Sequence, residues 1–193
     1  LFGGTFAPPH LGHVRALKMM KRRIRLDKII VMPTAVPPHK EKKSDDTPEQ
    51  RLEMCEAAFG EIDGVEVSSF EINKGGKSYS VETLRHLTKE GRRIFMLTGG
   101  DMFRSLSTWY KAEEIFSLAT IVCMPREKSE IDEILALKTE YEEKFGAKVR
   151  IIGTNPLEVS STEIREKIKK REDTSKILPE KVREIIDREK LYL

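Results

Sequence analysis

The chain has 193 residues, 38% hydrophobic and 35% charged, and its 35 Lys and Arg against 32 Asp and Glu leave a net charge of +3. So nearly balanced a surface lacks the cationic excess of a nucleic-acid-binding protein, and no apolar run approaches the roughly 18 residues of a membrane span. Cys55 and Cys123 are far apart in apolar settings and read as buried thiols, not as a disulfide or a metal site.

The chain opens with LFGGTFAPPHLGH at 1–13. Leu1-Phe2 reads as the tail of a buried strand, Gly3-Gly4 as a turn without Cβ atoms, and Gly12-His13 as the start of a helix. Such a junction aims backbone N–H groups and the positive end of a helix dipole at one spot, which suits a phosphate. His10 and His13 bracket Gly12 and can add imidazole donors around the same anion. Lys18, Lys21, Arg22, Arg23 and Arg25 follow as a solvated basic face toward the helix C-terminus.

Lys28–Pro33 is a β-branched run closed by proline, the mark of a buried parallel strand, and the two strands with their helix imply a βαβ unit. Residues 34–46 are rich in Pro, Lys and Asp and read as a long functional loop, with His39 and Lys40 beyond the C-terminal edge of the strand. Thr47-Pro48-Glu49-Gln50 is a capping box that opens a helix to about Phe59. Arg51 in its first turn opposes the dipole; a surface arginine is the first expectation and a phosphate contact the second.

A short strand follows at Val65–Ser68, then a turn at Lys74–Lys77. Ser80 is the expected N-cap of a helix with apolar residues at 81, 84 and 87. The strand Ile94–Thr98 ends in Gly99-Gly100-Asp101, where a carboxylate can accept a ribose hydroxyl proton. Composition alone places Trp109, the single tryptophan, in the core. Ala119–Met124 and Val149–Ile152 are further strands, and Ile131, Ile134, Leu135, Tyr141 and Phe145 share the packing face of a helix between them. Ser160 and Glu163 form a second capping box, and Ser160, Ser161 and Thr162 with Arg165 suit a polyphosphate tail. Pro179 opens a terminal helix that packs through Val182, Ile185 and Ile186. With no internal repeat and no linker, residues 1–193 are expected to be one domain: a single Rossmann-like, doubly wound parallel sheet flanked by helices, with a C-terminal helical segment.

The opening block resembles the TFxPxHxGH signature of the nucleotidylyltransferase superfamily, with Ala7 where an Asp is expected. GGTFAPPHLGH at 3–13, VPPHK at 36–40, SYSVETL at 78–84, GGDMF at 99–103, TWY at 108–110 and SSTEIR at 160–165 together resemble the bacterial nicotinate-nucleotide adenylyltransferases almost end to end. That resemblance implies transfer of AMP from ATP to nicotinate mononucleotide by direct in-line attack on the α-phosphate, with Mg²⁺ bound mainly through ATP phosphates. It implies His10, His13 and Arg165 as catalytic residues. ATP would be held by Gly3, Gly4, Thr5, Phe6, His13, Gly99, Asp101, Ser160, Ser161, Thr162 and Arg165, and the mononucleotide by His39, Lys40, Ser80, Thr83, Trp109 and Tyr110. The stacking role this gives Trp109 displaces its core assignment. The implied protein is cytoplasmic, contacts neither nucleic acid nor membrane, and leaves a homo-oligomer open. Two alternatives stand: another adenylyltransferase, such as one acting on phosphopantetheine, and a weakly active or non-catalytic nucleotide-binding variant suggested by Ala7.

Overall fold

A computed structural model of the chain describes residues 1–38, 45–89, 91–125, 127–153 and 159–193. In chain order the elements are β1 (Phe2–Gly4), α1 (Leu11–Arg23), β2 (Ile29–Pro33), α2 (Pro48–Phe59), β3 (Val65–Val67), α3 (Phe70–Lys74), α4 (Ser80–Thr88) and β4 (Ile94–Gly99). They continue as α5 (Gly100–Ser105), α6 (Ala112–Leu118), β5 (Ala119–Met124), α7 (Ile131–Phe145), β6 (Lys148–Ile151), α8 (Ser161–Lys169) and α9 (Glu180–Glu189). Strands alternating with helices and pairing in parallel make this a Rossmann-like α/β fold, as expected, although among the described residues the strands form two three-stranded sheets where the sequence predicts one. The chain forms two compact units, one of Leu1–Phe2 with Tyr79–Pro156 and the other of Gly3–Ser78 with Leu157–Leu193.

In the second of these units β2 is buried along its whole length, as its β-branched run requires. It lies parallel to β3, with Ile29 opposite Val65 and Val31 opposite Val67, in a sheet of order β1-β2-β3. Both halves of the Thr47 capping box form: the Thr47 hydroxyl accepts from Gln50 N at 3.2 Å and the Gln50 side chain accepts from Thr47 N at 2.9 Å. Met54 of α2, Ile164 of α8, Val182 and Ile186 of α9, and Tyr192 beyond it close one hydrophobic cluster. The C-terminal segment is therefore part of this unit's core. Gly3 and Gly4 do not make the expected turn; they are residues of β1, and Phe6, at φ 51°, takes the left-handed backbone instead.

In the other unit β4, β5 and β6 form a parallel sheet, with Ile94 opposite Ala119, Gly99 opposite Met124 and Thr120 opposite Lys148. Leu1 adds its carbonyl to the edge, accepting from Leu97 N at 2.9 Å. The buried Tyr141 of α7 donates its hydroxyl to Phe103 O at 2.9 Å and packs its ring against Phe103 and Phe116. The apolar face of α7 is narrower than its sequence suggests. Ile134 and Tyr141 are buried, while Ile131 and Leu135 are 36% and 47% exposed on its flanks. No helix among the described residues is long and apolar enough to cross a membrane.

Candidate active site

The start of α1 is built by its two histidines. His10 is the N-cap, with extended backbone (φ −140°, ψ 171°). His13 N donates to His10 Nδ1 at 3.4 Å, and His10 N donates to His13 Nδ1 at 3.2 Å. This is a capping box in which imidazoles replace the usual hydroxyl and carboxylate. The rings stack with centroids 3.7 Å apart at 26°. A ring nitrogen that accepts a hydrogen bond carries no proton, so each neutral imidazole holds its proton on Nε2. Capping therefore fixes the tautomer of each ring.

The first-turn amides are less available than the sequence implies. Leu11 N donates to Ile177 O at 2.9 Å, and His10 N and His13 N are held by the reciprocal cap. Gly12 N is the one amide of this turn with no protein acceptor among the described residues. The same residue must be glycine for steric reasons. A Cβ there would lie 2.9 Å from both Cε1 and Nδ1 of His10 and 3.2 Å from Cγ1 of Val159. Gly4 is held to glycine in a similar way, since its Cβ would stand 3.0 Å from Phe6 Cζ. The Phe6 ring is thereby free to meet the edge of His13, with centroids 5.0 Å apart at 74°, and to brace it against Phe59.

The start of α8 docks on the same turn. Ser160 is the N-cap, its hydroxyl accepting from Glu163 N at 3.1 Å; only this half of the expected box is observed. The Ser161 hydroxyl donates to Pro8 O at 3.0 Å, and Arg165 Nη1 donates to Ala7 O at 2.7 Å while Nη2 reaches Thr162 Oγ1 at 3.2 Å. Ser161 and Arg165 thus brace the turn that carries His10. The brace falls on main-chain carbonyls, so it does not depend on the carboxylate that Ala7 lacks. Ala7 itself is buried. Gly3, Gly4 and Thr5 line the way into the turn; Gly4 O accepts from both the amide and the hydroxyl of Thr34, at 2.9 and 3.0 Å.

The other unit carries the remaining assigned residues. Gly99 ends β4 and caps α5, and the exposed carboxylate of Asp101 pairs with Arg104 at 3.2 Å. Arg104 is also held by Glu130 at 2.9 Å and Glu133 at 2.8 Å, and hydrogen bonding to these carboxylates raises its pKa above the ordinary arginine value. Trp109 is half-buried rather than a core residue, and its Nε1 donates to Ser105 Oγ at 3.2 Å. The exposed Tyr110 ring packs against Tyr79, with centroids 4.8 Å apart. Ser80 is the first residue of α4, not its cap; Tyr79 takes that place without a side-chain bond. Thr83 is 1% exposed within the same helix. His39 and Lys40 lie outside the described residues. Among the described residues no group of three or more His, Cys, Asp and Glu converges as a metal site.

Arg51 is the residue sequence reasoning misplaced. It is neither on the surface nor at the starts of α1 and α8, but buried and paired with Asp46 at 2.9 Å. The signal was present: an arginine in the first turn of a helix opposes the dipole, and an acid stands just ahead of the N-cap.

Residues 1–167 match the cytidylyltransferase-like family model. The chain is 38% identical to a Clostridium tetani protein named "probable nicotinate-nucleotide adenylyltransferase", over 100% of this chain and 97% of that protein. A Clostridium botulinum protein of the same name is 34% identical over 100% and 96%. Among solved structures, Plasmodium falciparum nicotinic acid mononucleotide adenylyltransferase complexed with NaAD superposes with a TM-score of 0.81 at 17% identity, covering 99% of this chain and 95% of that one. A putatively assigned Vibrio parahaemolyticus nicotinate-nucleotide adenylyltransferase superposes with a TM-score of 0.63 at 19% identity, covering 96% of each chain. Matched from end to end by relatives above 30% identity, with the HxGH turn built as a helix cap, the chain belongs to the nicotinate-nucleotide adenylyltransferases of the cytidylyltransferase-like family.

Proposed function

We propose that this chain, acting as one 193-residue domain in the cytoplasm, transfers AMP from ATP to nicotinate mononucleotide, releasing pyrophosphate and forming nicotinic acid adenine dinucleotide for NAD synthesis. The observation that carries this is the reciprocal imidazole cap at α1. Two imidazoles of fixed orientation and the Gly12 amide stand together at one helix start, an arrangement that suits a phosphoryl group gaining charge.

In the reaction an oxygen of the acceptor's 5′-phosphate attacks the α-phosphorus of ATP in line. The new P–O bond forms as the bond from that phosphorus to the α,β-bridging oxygen breaks, and the electron pair leaves with pyrophosphate. No protein nucleophile is needed, because positioning and charge neutralisation lower the barrier. His10 and His13 donate to the α-phosphate oxygens, with Gly3, Gly4, Thr5 and Phe6 shaping the turn around them. Ser160, Ser161, Thr162 and Arg165 serve the β- and γ-phosphates, the guanidinium reaching phosphate oxygens with N–H groups it does not use on Ala7 O. Gly99 and Asp101 take the adenosine side, the carboxylate accepting from a ribose hydroxyl. Trp109 stacks on the pyridine ring, and Tyr110, Ser80, Thr83, His39 and Lys40 complete the acceptor side. Mg²⁺ arriving with ATP would supply charge neutralisation on the triphosphate, beside the donors of Arg165, Ser161 and Thr162.

Preference for the acid over the amide follows from helix geometry. The first amides of α4, at Ser80 and Val81, attract a carboxylate and offer an amide NH₂ no acceptor. The test is pyrophosphate release from ATP with the acid mononucleotide, its amide counterpart and phosphopantetheine as acceptors. Turnover confined to the acid supports the assignment, equal efficiency with the amide refutes the selectivity, and preference for phosphopantetheine refutes the substrate.

A further inference from the structure

We propose that Arg104 is a positioning residue for the ribose of ATP: it holds the Asp101 carboxylate so that this group selects a ribose over its deoxy analogues. The inference rests on the function proposed above and deepens its adenosine side. Arg104 stands one turn along α5 from Asp101, and its guanidinium meets three carboxylates. Nη1 pairs with Asp101 Oδ1 at 3.2 Å, Nη2 with Glu130 Oε1 at 2.9 Å, and Nε donates to Glu133 Oε2 at 2.9 Å. Glu130 is the N-cap residue of α7 and Glu133 lies in its first turn. The buried Tyr141 of α7 holds the same arginine by its backbone, donating its hydroxyl to Arg104 O at 3.2 Å.

The three pairs are unequal. The Glu130 side chain is 17% exposed and its second oxygen accepts from Glu127 N at 3.0 Å, whereas the Asp101 side chain is 82% exposed and meets Arg104 through one oxygen. Glu130 and Glu133 therefore fix the guanidinium, and the guanidinium fixes Asp101. A planar fork can serve three carboxylates in set directions, which a lysine ammonium cannot. An exposed ion pair alone is worth little, but here one cation stands among three anions, and without it they repel and Asp101 turns away into water. Gly100 makes room for the arrangement: a Cβ there would lie 2.9 Å from Glu130 Oε1 and 3.3 Å from Arg104 Nη1. The group sits at the C-terminal ends of β4 and β5, paired through Gly99 and Met124, the edge at which open parallel sheets take ligands. With Oδ1 on Arg104, Oδ2 serves the ribose hydroxyl. A carboxylate held in one orientation discriminates against a nucleotide lacking that hydroxyl, because binding then leaves the acceptor unpaired.

Initial rates with ATP, 2′-deoxy-ATP and 3′-deoxy-ATP, at saturating nicotinate mononucleotide, test this in the wild type, Arg104→Gln and Glu130→Gln. The wild type is expected to favour ATP over at least one deoxy analogue by about tenfold or more in kcat/KM. Arg104→Gln should cut that preference to less than about threefold by losing efficiency with ATP alone, while KM for nicotinate mononucleotide moves less than about twofold. Glu130→Gln, which keeps the arginine and weakens its anchor, should fall between the two, and it decides the question if Arg104→Gln does not fold. Equal losses with all three nucleotides, as a merely structural role would give, or a wild-type preference kept by the folded variants would overturn the proposal. So would a wild type that turns over all three alike, since Asp101 would then read no ribose hydroxyl. A wild type inactive on nicotinate mononucleotide with every nucleotide would overturn the functional assignment itself, and this inference with it.

Discussion

Substituting Gly12 by alanine should destabilise this protein and disable it, although glycine-to-alanine changes inside helices ordinarily stabilise. The helix gains roughly 0.5–1 kcal/mol from the better former. Against that, the new Cβ would stand 2.9 Å from the His10 ring and 3.2 Å from Val159, so the ring or the start of α8 must shift. Losing the His10 cap costs about 1 kcal/mol, and overpacking a fitted contact costs about 1–3 kcal/mol. The net is a loss of about 1–3 kcal/mol, which in a chain of this size lowers Tm by about 2–4 °C for each kcal/mol. The catalytic loss is disproportionate, because moving a preorganised donor by about 1 Å costs on the order of 100-fold in rate. Differential scanning calorimetry and initial rates of pyrophosphate release on one preparation measure both quantities. A Gly12→Ala protein with a raised Tm and wild-type turnover would refute the cap-and-donor assignment of His10.

Alkaline pH supplies a second expectation. Burial pushes the Cys123 thiol up from 9.0 to about 12 and the Cys55 thiol still higher, and burial together with Asp46 raises the Tyr192 hydroxyl. These groups bind more protons folded than unfolded, so the stability they contribute is present below pH 9 and drains away for Cys123 between about 9 and 12. Urea midpoints should fall across that range, and Cys123→Ser together with Tyr192→Phe should flatten the fall; a flat wild-type profile would exclude it. Nicotinate mononucleotide should quench the fluorescence of Trp109, the single tryptophan, in a saturable manner, and no change at saturating ligand would remove Trp109 from the acceptor side. Ala7→Asp should change turnover by less than about tenfold, since Arg165 and Ser161 brace this turn through the carbonyls of Ala7 and Pro8. Activity appearing only in Ala7→Asp would favour a non-catalytic native protein.

The start of α1 was legible in the sequence because its capping chemistry is local. His10, Gly12 and His13 fall within four residues, and a helix start is announced by its cap. Even so, the sequence suggests several open amides where, among the described residues, the folded turn keeps only Gly12 N, since the use of Leu11 N by Ile177 is a contact across 166 residues. Arg51 was missed for a related reason: its carbonyl partners at Thr5, Thr34 and Ala35 are joined only by the tertiary fold. The helices α5 and α6 have six and seven residues, too few to display a period, and no helix is predicted at either place. The Ser80 helix was placed within one residue, but without a side-chain hydrogen bond its cap could not be read from residue preference.

The most direct measurement is single-turnover formation of the dinucleotide by His13→Ala at saturating ATP and nicotinate mononucleotide. A fall of about 100-fold or more in that rate, with ATP affinity within a few fold of wild type, is the predicted result, since a donor that acts on developing charge lowers kcat rather than ground-state binding. An unchanged rate in a folded His13→Ala protein would contradict catalysis at the start of α1.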